Sequence, residues 1–245
     1  MQMALLTVGD ELLSGDTENT HATWLARQLA GQGVAVKRIA VIPDETSVIA
    51  THVREYSEFD AVIVTGGIGR TPDDVTMEGV AQAFDRPLEP NDLARTDIEQ
   101  TVADLTEGRD TDFDIDITTE ASIPSGARPL INDAGLSPGC VIENVYVLPG
   151  IPDEMHSMFA SIADEFAGDI RTRTFYTTDP ESNLVAVLSD ARDRFDVSVG
   201  CYPDRDAGHN RLKLSGTDEN ALDTAEAWLH ERVTVVEPSE NTEIQ

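Results

Sequence analysis

A chain of 245 residues can bury one large core, or one core together with a small second domain. Its 46 acidic side chains outnumber 17 lysines and arginines, giving a net charge of −29, and Lys37 and Lys213 are the only lysines. Spread along the whole chain, that excess repels nucleic acid and anionic membrane surfaces, which removes DNA binding and membrane attachment from the functions expected.

Residues 3–8 are an apolar run with a β-branched end and read as a buried first strand. The run delivers Gly9, Asp10 and Glu11 at its carboxyl end, the edge at which open α/β sheets bind ligands. A turn at residues 14–17 leads to Asn19-Thr20-His21, after which Trp24, Leu25 and Leu29 carry helical spacing up to Gly31. Asn19 or Thr20 suits the cap of that helix. His21 reads as a surface residue at the helix start, since no second histidine stands at ligand spacing. Residues 34–42 form the second strand, and Val48, Ile49, His52 and Val53 mark one face of the next helix. Asp44, between the two, is either the N-cap of that helix or a site carboxylate at a strand end.

The apolar run 61–64 enters Thr65-Gly66-Gly67-Ile68-Gly69-Arg70-Thr71-Pro72-Asp73-Asp74-Val75-Thr76 and leaves into a helix-compatible segment, residues 75–84. Strand, glycine loop and helix in that order are a phosphate-loop signature. Gly66, Gly67 and Gly69 permit positive φ and bring bare backbone N–H groups towards an anion at the positive end of the helix. Asp73 and Asp74 would repel that anion unless a divalent cation lay between, which argues for Mg²⁺-type phosphate chemistry. The plainer alternative is that they only cap the helix.

Residues 91–105 resume helical spacing, and 108–116 read as an acidic, solvated excursion. Residues 123–127 and 132–139 are turn sequences rich in Pro, Gly and Asn. A strand or hairpin over 140–148 ends in Pro149-Gly150-Ile151-Pro152-Asp153-Glu154 and a helix to about residue 166. Pro152 suits its first turn, and Glu154 either complements the helix start or faces the site. Residues 169–237 then follow a β-α-β-β-α-β order, that of a small split α/β (ferredoxin-like or KH-like) domain with no catalytic constellation. In it Trp228 and Leu229 read as core, and His209 and Arg211 as exposed turn residues. Residues 238–245 read as an acidic tail. Cys140 and Cys201 stand in no Cys-x-x-Cys pattern and are expected as buried free thiols. Residues 1–8 lack the charged start of a signal peptide, and no apolar stretch reaches the roughly 18 residues of a membrane span, so a cytoplasmic protein is expected.

Three ordered motifs carry a resemblance: Gly9-Asp10-Glu11-Leu12-Leu13, the loop from Gly66 to Thr76, and Leu148-Pro149-Gly150-Ile151-Pro152-Asp153-Glu154-Met155. Together they resemble the MoaB/Mog (molybdopterin-binding) superfamily over almost the whole chain, and within it the N-terminal region of the competence-damage protein CinA. Arg70 departs from the pattern, which usually has Pro there. The alternation of strands and helices agrees with the fold that the resemblance implies, a three-layer α/β/α domain with a largely parallel sheet over 1–168. The resemblance gives Asp44 and Asp74 catalytic roles, and Asp44, Asp73 and Asp74 are the expected metal ligands. Gly9, Asp10, Glu11, Asn19, Gly66, Gly67, Gly69, Thr71, Thr76, Gly150, Pro152 and Glu154 are expected around the ligand, with 123–127 and 132–139 closing over it.

The activity this implies is a divalent-metal-dependent pyrophosphatase, with Mg²⁺, Mn²⁺ or Co²⁺ and K⁺ as a further candidate ion, acting on a nucleoside diphosphate derivative such as ADP-ribose or FAD. Two rivals stand beside it. One is molybdopterin binding or adenylyl transfer in molybdenum cofactor synthesis; the other is a non-catalytic nucleotide-binding module, in which Arg70 would occupy the anion site as a fixed charge. Expected partners are a small-molecule nucleotide or pterin phosphate and further copies of the chain in a dimer or trimer. Many CinA proteins carry, beyond this point, a domain resembling an amidohydrolase of pyridine nucleotides; it is expected to be absent, so deamidation of nicotinamide mononucleotide is not carried over.

A diffuse acidic surface with almost no lysine suits concentrated salt, where screening over a few ångströms relieves self-repulsion. The unfolding midpoint is therefore expected to climb steeply as KCl approaches molar concentration. A flat dependence in a salt series contradicts this halophilic reading.

Overall fold

The structure, a computed structural model, describes residues 1–106 and 115–237. Most of the acidic excursion expected at 108–116, and all of the tail 238–245, lie outside the described residues. The chain divides into two compact units, Met1–Gly168 and Asp169–Gln245.

The first unit begins β1 (Gln2–Val8), α1 (Asp10–Ser14), α2 (Thr20–Gly31), β2 (Ala35–Ile42), α3 (Thr46–Tyr56), β3 (Ala61–Thr65) and α4 (Thr76–Ala83). It continues through β4 (Leu88–Pro90), α5 (Asp92–Thr106), α6 (Ile117–Glu120), β5 (Ser122–Pro124), β6 (Arg128–Leu130), β7 (Gly139–Ile142), β8 (Val145–Leu148) and α7 (Pro152–Ile162). Its main sheet has the order β2-β1-β3-β8-β7-β6. The first four strands are mutually parallel, and the pairings of β8 with β7 and of β7 with β6 are antiparallel, so that only β7 runs against the others and the sheet is largely parallel.

Central strands covered on both faces must be apolar throughout, and β1 and β3 are. Alternate residues divide between the two faces. Ala4, Leu6, Val62 and Val64 pack with Ile49 and Val53 of α3 and Val80 of α4, whereas Met3, Leu5 and Ile63 pack with Leu25 and Leu29 of α2 and Met155 and Phe159 of α7. The result is three layers. Arg54 of α3 donates to the Ala83 carbonyl at 3.0 Å and to the Gln82 carbonyl, closing the end of α4 with a cation where the dipole favours one. The β7–β8 hairpin turns at Glu143 (φ 51°), and Asn144 Nδ2 pins it to the Ser57 and Phe59 carbonyls at 3.0 and 2.7 Å.

The second unit is β9 (Arg171–Thr177), α8 (Glu181–Phe195), β10 (Ser198–Asp204), β11 (His209–Gly216), α9 (Glu219–His230) and β12 (Val235–Val236). Its antiparallel sheet, in the order β10-β11-β9-β12, packs against a core of Phe175, Leu184, Leu212, Leu214, Leu222 and Leu229. Four side-chain expectations change here, the first being Arg211, which is half-buried within β11 rather than in an exposed turn, its guanidinium 5.0 Å from the Tyr202 ring centre. His209 is 6% exposed rather than on an open turn, because it opens β11 with its ring edge-on to Tyr176 at 4.8 Å. Cys201 is half-buried, unlike the fully buried Cys140. Trp228 lies at the margin of the core, with the guanidinium groups of Arg194 and Arg232 at 5.4 and 4.1 Å from its ring centre. Among the described residues, no helix is long and apolar enough to cross a membrane.

The contact between α3 and α4 depends on Gly79, where an added Cβ would stand 2.5 Å from Ile49 Cγ2. Gly79→Val should overpack this contact and destabilise the fold by about 1–3 kcal/mol. Chemical denaturation would read the loss. Gly31→Ala is the control, since a Cβ there meets nothing within 4 Å, and its midpoint should hold or rise slightly.

Candidate functional site at the carboxyl edge of the sheet

The parallel strands deliver three loops to one place. Gly66 and Gly67, directly after β3, have φ of 98° and 63°, a region that L side chains rarely adopt. A Cβ on Gly66 would collide with the Val8 carbonyl at the end of β1, and one on Gly150, after β8, would lie 3.2 Å from the Gly66 α-carbon. Backbone hydrogen bonds tie the same junction: Gly66 N–H to the Leu148 carbonyl at 3.2 Å and Gly9 N–H to the Ile42 carbonyl at 3.1 Å. Thr65 Oγ1 adds a bond to the Pro149 carbonyl at 2.7 Å.

Asp44 comes to this junction from the end of β2. Its Oδ2 accepts the Asp10 N–H at 2.8 Å, so it caps the start of α1; α3 is capped instead by the backbone of Glu45, without a side-chain bond. Asp44 Oδ1 lies 3.1 Å from where a Gly67 Cβ would stand, and Thr76 Oγ1 lies 2.5 Å from it. Thr76 is fully buried, and its hydroxyl has no hydrogen-bond partner among the described residues. Burial raises the Asp44 carboxyl above its ordinary range, and the charges of Asp10, Glu11 and Asp73 raise it further against the opposing Asp10 N–H.

The glycine loop closes on itself through Thr76 N–H to the Gly67 carbonyl at 2.9 Å. Asp74 Oδ2 accepts from Thr71 N–H at 2.8 Å and from Thr71 Oγ1 at 2.6 Å, and packs where a Gly69 Cβ would stand. Neither Asp73 nor Asp74 caps α4, whose N-cap is Val75 without a side-chain bond. Asp74 braces the loop instead. Asp73 is exposed beside it.

Other expected ligand residues are engaged in structure. Asn19 is the cap of α2, accepting the Ala22 N–H at 3.1 Å and donating to Thr7 Oγ1 at 3.1 Å, while Thr20 is the first helical residue. Glu154 accepts from Asn132 Nδ2 at 2.7 Å and packs over Gly135. Pro152 is exposed at the first position of α7, and Asp10 and Glu11 are exposed on α1. His21 is half-buried; burial and then His156 hold its pKa down, with Glu11 opposing. Among the described residues, no three acidic, histidine or cysteine side chains converge at metal-ligating spacing, so Asp44, Asp73 and Asp74 do not form a ready-made cluster.

Beside Gly67 opens a cleft of about 580 Å³, bounded by the loop from Gly67 to Val75, by Met77 and Leu88, and by Glu120 and Pro138 opposite. Glu120 gave no signal in the sequence, since it sits in an unremarkable Thr-Thr-Glu-Ala run. Only the fold carries it to the wall of the cleft, where its side chain is 7% exposed. Ser137 Oγ donates to Glu120 Oε1 at 2.5 Å, and Arg70 Nε stands 3.7 Å from Glu120 Oε2.

Sequence comparison agrees with this architecture. Residues 4–168 match the family described as "Probable molybdopterin binding domain", and residues 169–238 match that described as "FAD synthase, middle domain". A protein of Archaeoglobus fulgidus is 36% identical over 228 residues, covering 92% of this chain and 95% of that protein. A CinA-like protein of Salinibacter ruber is 34% identical over 250 residues, covering 95% of this chain, and the chain spans 60% of that relative's length. The crystal structure of the CinA protein of Thermoplasma acidophilum superposes with a TM-score of 0.61 at 30% identity, covering 68% of this chain and 99% of that one. The chain belongs to the MoaB/Mog molybdopterin-binding superfamily, as a CinA-like member.

The raised Asp44 pKa has a consequence for stability. The folded state holds this proton more tightly than the unfolded chain, so stability falls as pH rises from the ordinary carboxylate pKa through the raised one. Above that interval the ionised group is a net cost. Asp44→Asn keeps an acceptor for the Asp10 N–H, and should raise the thermal midpoint at pH 7 while giving no advantage below the ordinary carboxylate pKa. Equal midpoints at pH 7 contradict this.

Proposed function

We propose that the first unit is a divalent-metal-dependent pyrophosphatase acting on a nucleoside diphosphate derivative such as ADP-ribose or FAD. The observation that carries this is the junction at Gly66 and Gly67, where side-chain-free backbone and the Asp44 carboxylate meet at the carboxyl ends of parallel strands, beside the Asp74-braced loop. FAD, named in the description of the family matched by residues 169–238, is itself joined through a diphosphate.

An ion of the Mg²⁺ kind takes one or two protein carboxylates and completes its shell with water and substrate phosphates, so it needs no larger cluster than the described residues offer. Asp74, through the oxygen not held by Thr71, and the adjacent Asp73 would hold it. Mg²⁺, Mn²⁺ or Co²⁺ would there neutralise diphosphate charge and make bound water more acidic. Asp44 has a different part. Its Oδ2 is committed to Asp10, so Oδ1 accepts the proton of the attacking water, and a raised pKa makes it the better base. The water oxygen bonds to one phosphorus, the bridging P–O bond breaks, and the electron pair leaves with the second phosphate, giving two monophosphates. Backbone N–H groups of the glycine loop would offset charge developing on the phosphoryl oxygens.

A pterin phosphate is the second reading, favoured by the description of the family that residues 4–168 match. The cleft walls of Val75, Met77, Leu88 and Pro138 suit the flat ring of either ligand.

Asp74→Asn separates a chemical role from a structural one, because the amide oxygen still accepts from Thr71. Circular dichroism should be unchanged, while hydrolysis of ADP-ribose or FAD at high salt should fall on the order of a hundredfold or more. Full activity in this variant removes Asp74 from the mechanism. Wild-type protein that hydrolyses neither substrate with Mg²⁺, Mn²⁺ or Co²⁺ overturns the pyrophosphatase reading in favour of the pterin.

A further inference from the structure

Glu120 and Arg70 form an unequal pair. The carboxylate side chain is 7% exposed and the guanidinium side chain 47% exposed, at an N···O distance of 3.7 Å. That distance is too long for a hydrogen bond, so the contact is an ion pair without one. Glu120 Oε1 is fixed by Ser137, and its other oxygen serves Arg70. Both residues line the cleft that Gly67, Gly69 and Thr71 also line. Arginine binds phosphate through two parallel, short, charge-assisted bonds, which are stronger than a single contact at this range.

We infer that Arg70 is a mobile phosphate-binding arm held in reserve by Glu120, and that a diphosphate entering the glycine loop draws it off while Glu120 takes up a proton. This rests on the phosphate-site reading above and adds to it a specificity residue and a coupling to pH. Arg70 is thus an arm that reaches the ligand, not a fixed charge that blocks the site.

The fate of Glu120 follows from its surroundings. Burial already raises its pKa, Asp74 adds to the rise, and Ser137 and Arg70 oppose it. Glu78 and Asp116 line the same cleft and add no positive charge. Once Arg70 turns to a phosphate, a carboxylate whose side chain is 7% exposed loses the cation that faced it and keeps only the Ser137 hydroxyl, so burial then favours its protonated form. Binding should therefore tighten as pH falls through the Glu120 pKa, until the phosphate itself is protonated.

Calorimetric titration of the full chain with the α,β-methylene analogue of ADP-ribose, whose diphosphate has no ionisation near neutral pH, and Mg²⁺ at pH 6, in two buffers of different protonation enthalpy, reads both affinity and proton uptake. Wild-type protein should bind with net uptake. Arg70→Gln should weaken binding at least tenfold and remove the uptake; Glu120→Gln should bind severalfold more tightly, also without uptake. Ser137→Ala, which withdraws a bond favouring the charged form of Glu120, should move affinity in the same direction as Glu120→Gln and serves if that variant misfolds. Wild-type binding with Arg70→Gln unchanged, or with Glu120→Gln weakened as much as Arg70→Gln, overturns the arm and leaves the phosphate site standing. No binding by wild type overturns both.

Discussion

Backbone touches backbone at Gly66, and the rest of the first unit is arranged around that approach. The carbonyl of Val8, the Leu148–Gly150 turn and the Gly66 α-carbon occupy a space with no room for a Cβ. Parallel strands bring their carboxyl ends level, and glycine lets the chains leaving β1, β3 and β8 crowd together there instead of splaying apart. Asp44, reaching in from β2, then caps α1 and is held within reach of Gly67. A side chain at position 66 would push these loops apart and separate the groups of the site.

Acidic charge concentrates at the same edge. Asp10, Glu11, Asp44 and Asp73 lie close enough for the first, second and fourth to raise the pKa of the third. Among the described residues, no arginine or lysine contributes to the shift of Asp44, and Arg70 is turned to Glu120. Carboxylates crowded in this way cost stability, which is the usual direction of the exchange between stability and activity where the proposed chemistry uses them. A bound cation would convert that repulsion into attraction, which is why the electrostatics and the proposed chemistry point the same way.

Much of this was legible along the chain. The strands β1 and β3 declare themselves because central strands of a covered sheet are apolar on both faces, and the glycine loop declares itself by composition. The partner of each carboxylate was not legible. Asp44 precedes α3 and looks like its cap, yet it bonds Asp10, 34 positions away. Asp74 precedes α4 and looks like its cap, yet it bonds Thr71. Asn19, by contrast, does cap the helix it precedes. Capping propensity states what a side chain can do, and the loop's path decides which N–H it meets.

By itself, the sequence determined the two-unit α/β character, the position of the glycine loop, the acidic surface and the superfamily, because these depend on periodicity, composition and local motif. Tertiary structure alone decided that Glu120 faces Arg70, that His209 is buried, that Glu154 serves Asn132, and that the buried Thr76 hydroxyl beneath Gly67 meets no hydrogen-bond partner among the described residues. These are contacts between residues distant in the chain or turned by loop geometry. Burial and charge at each point are sums over neighbours that no local pattern encodes.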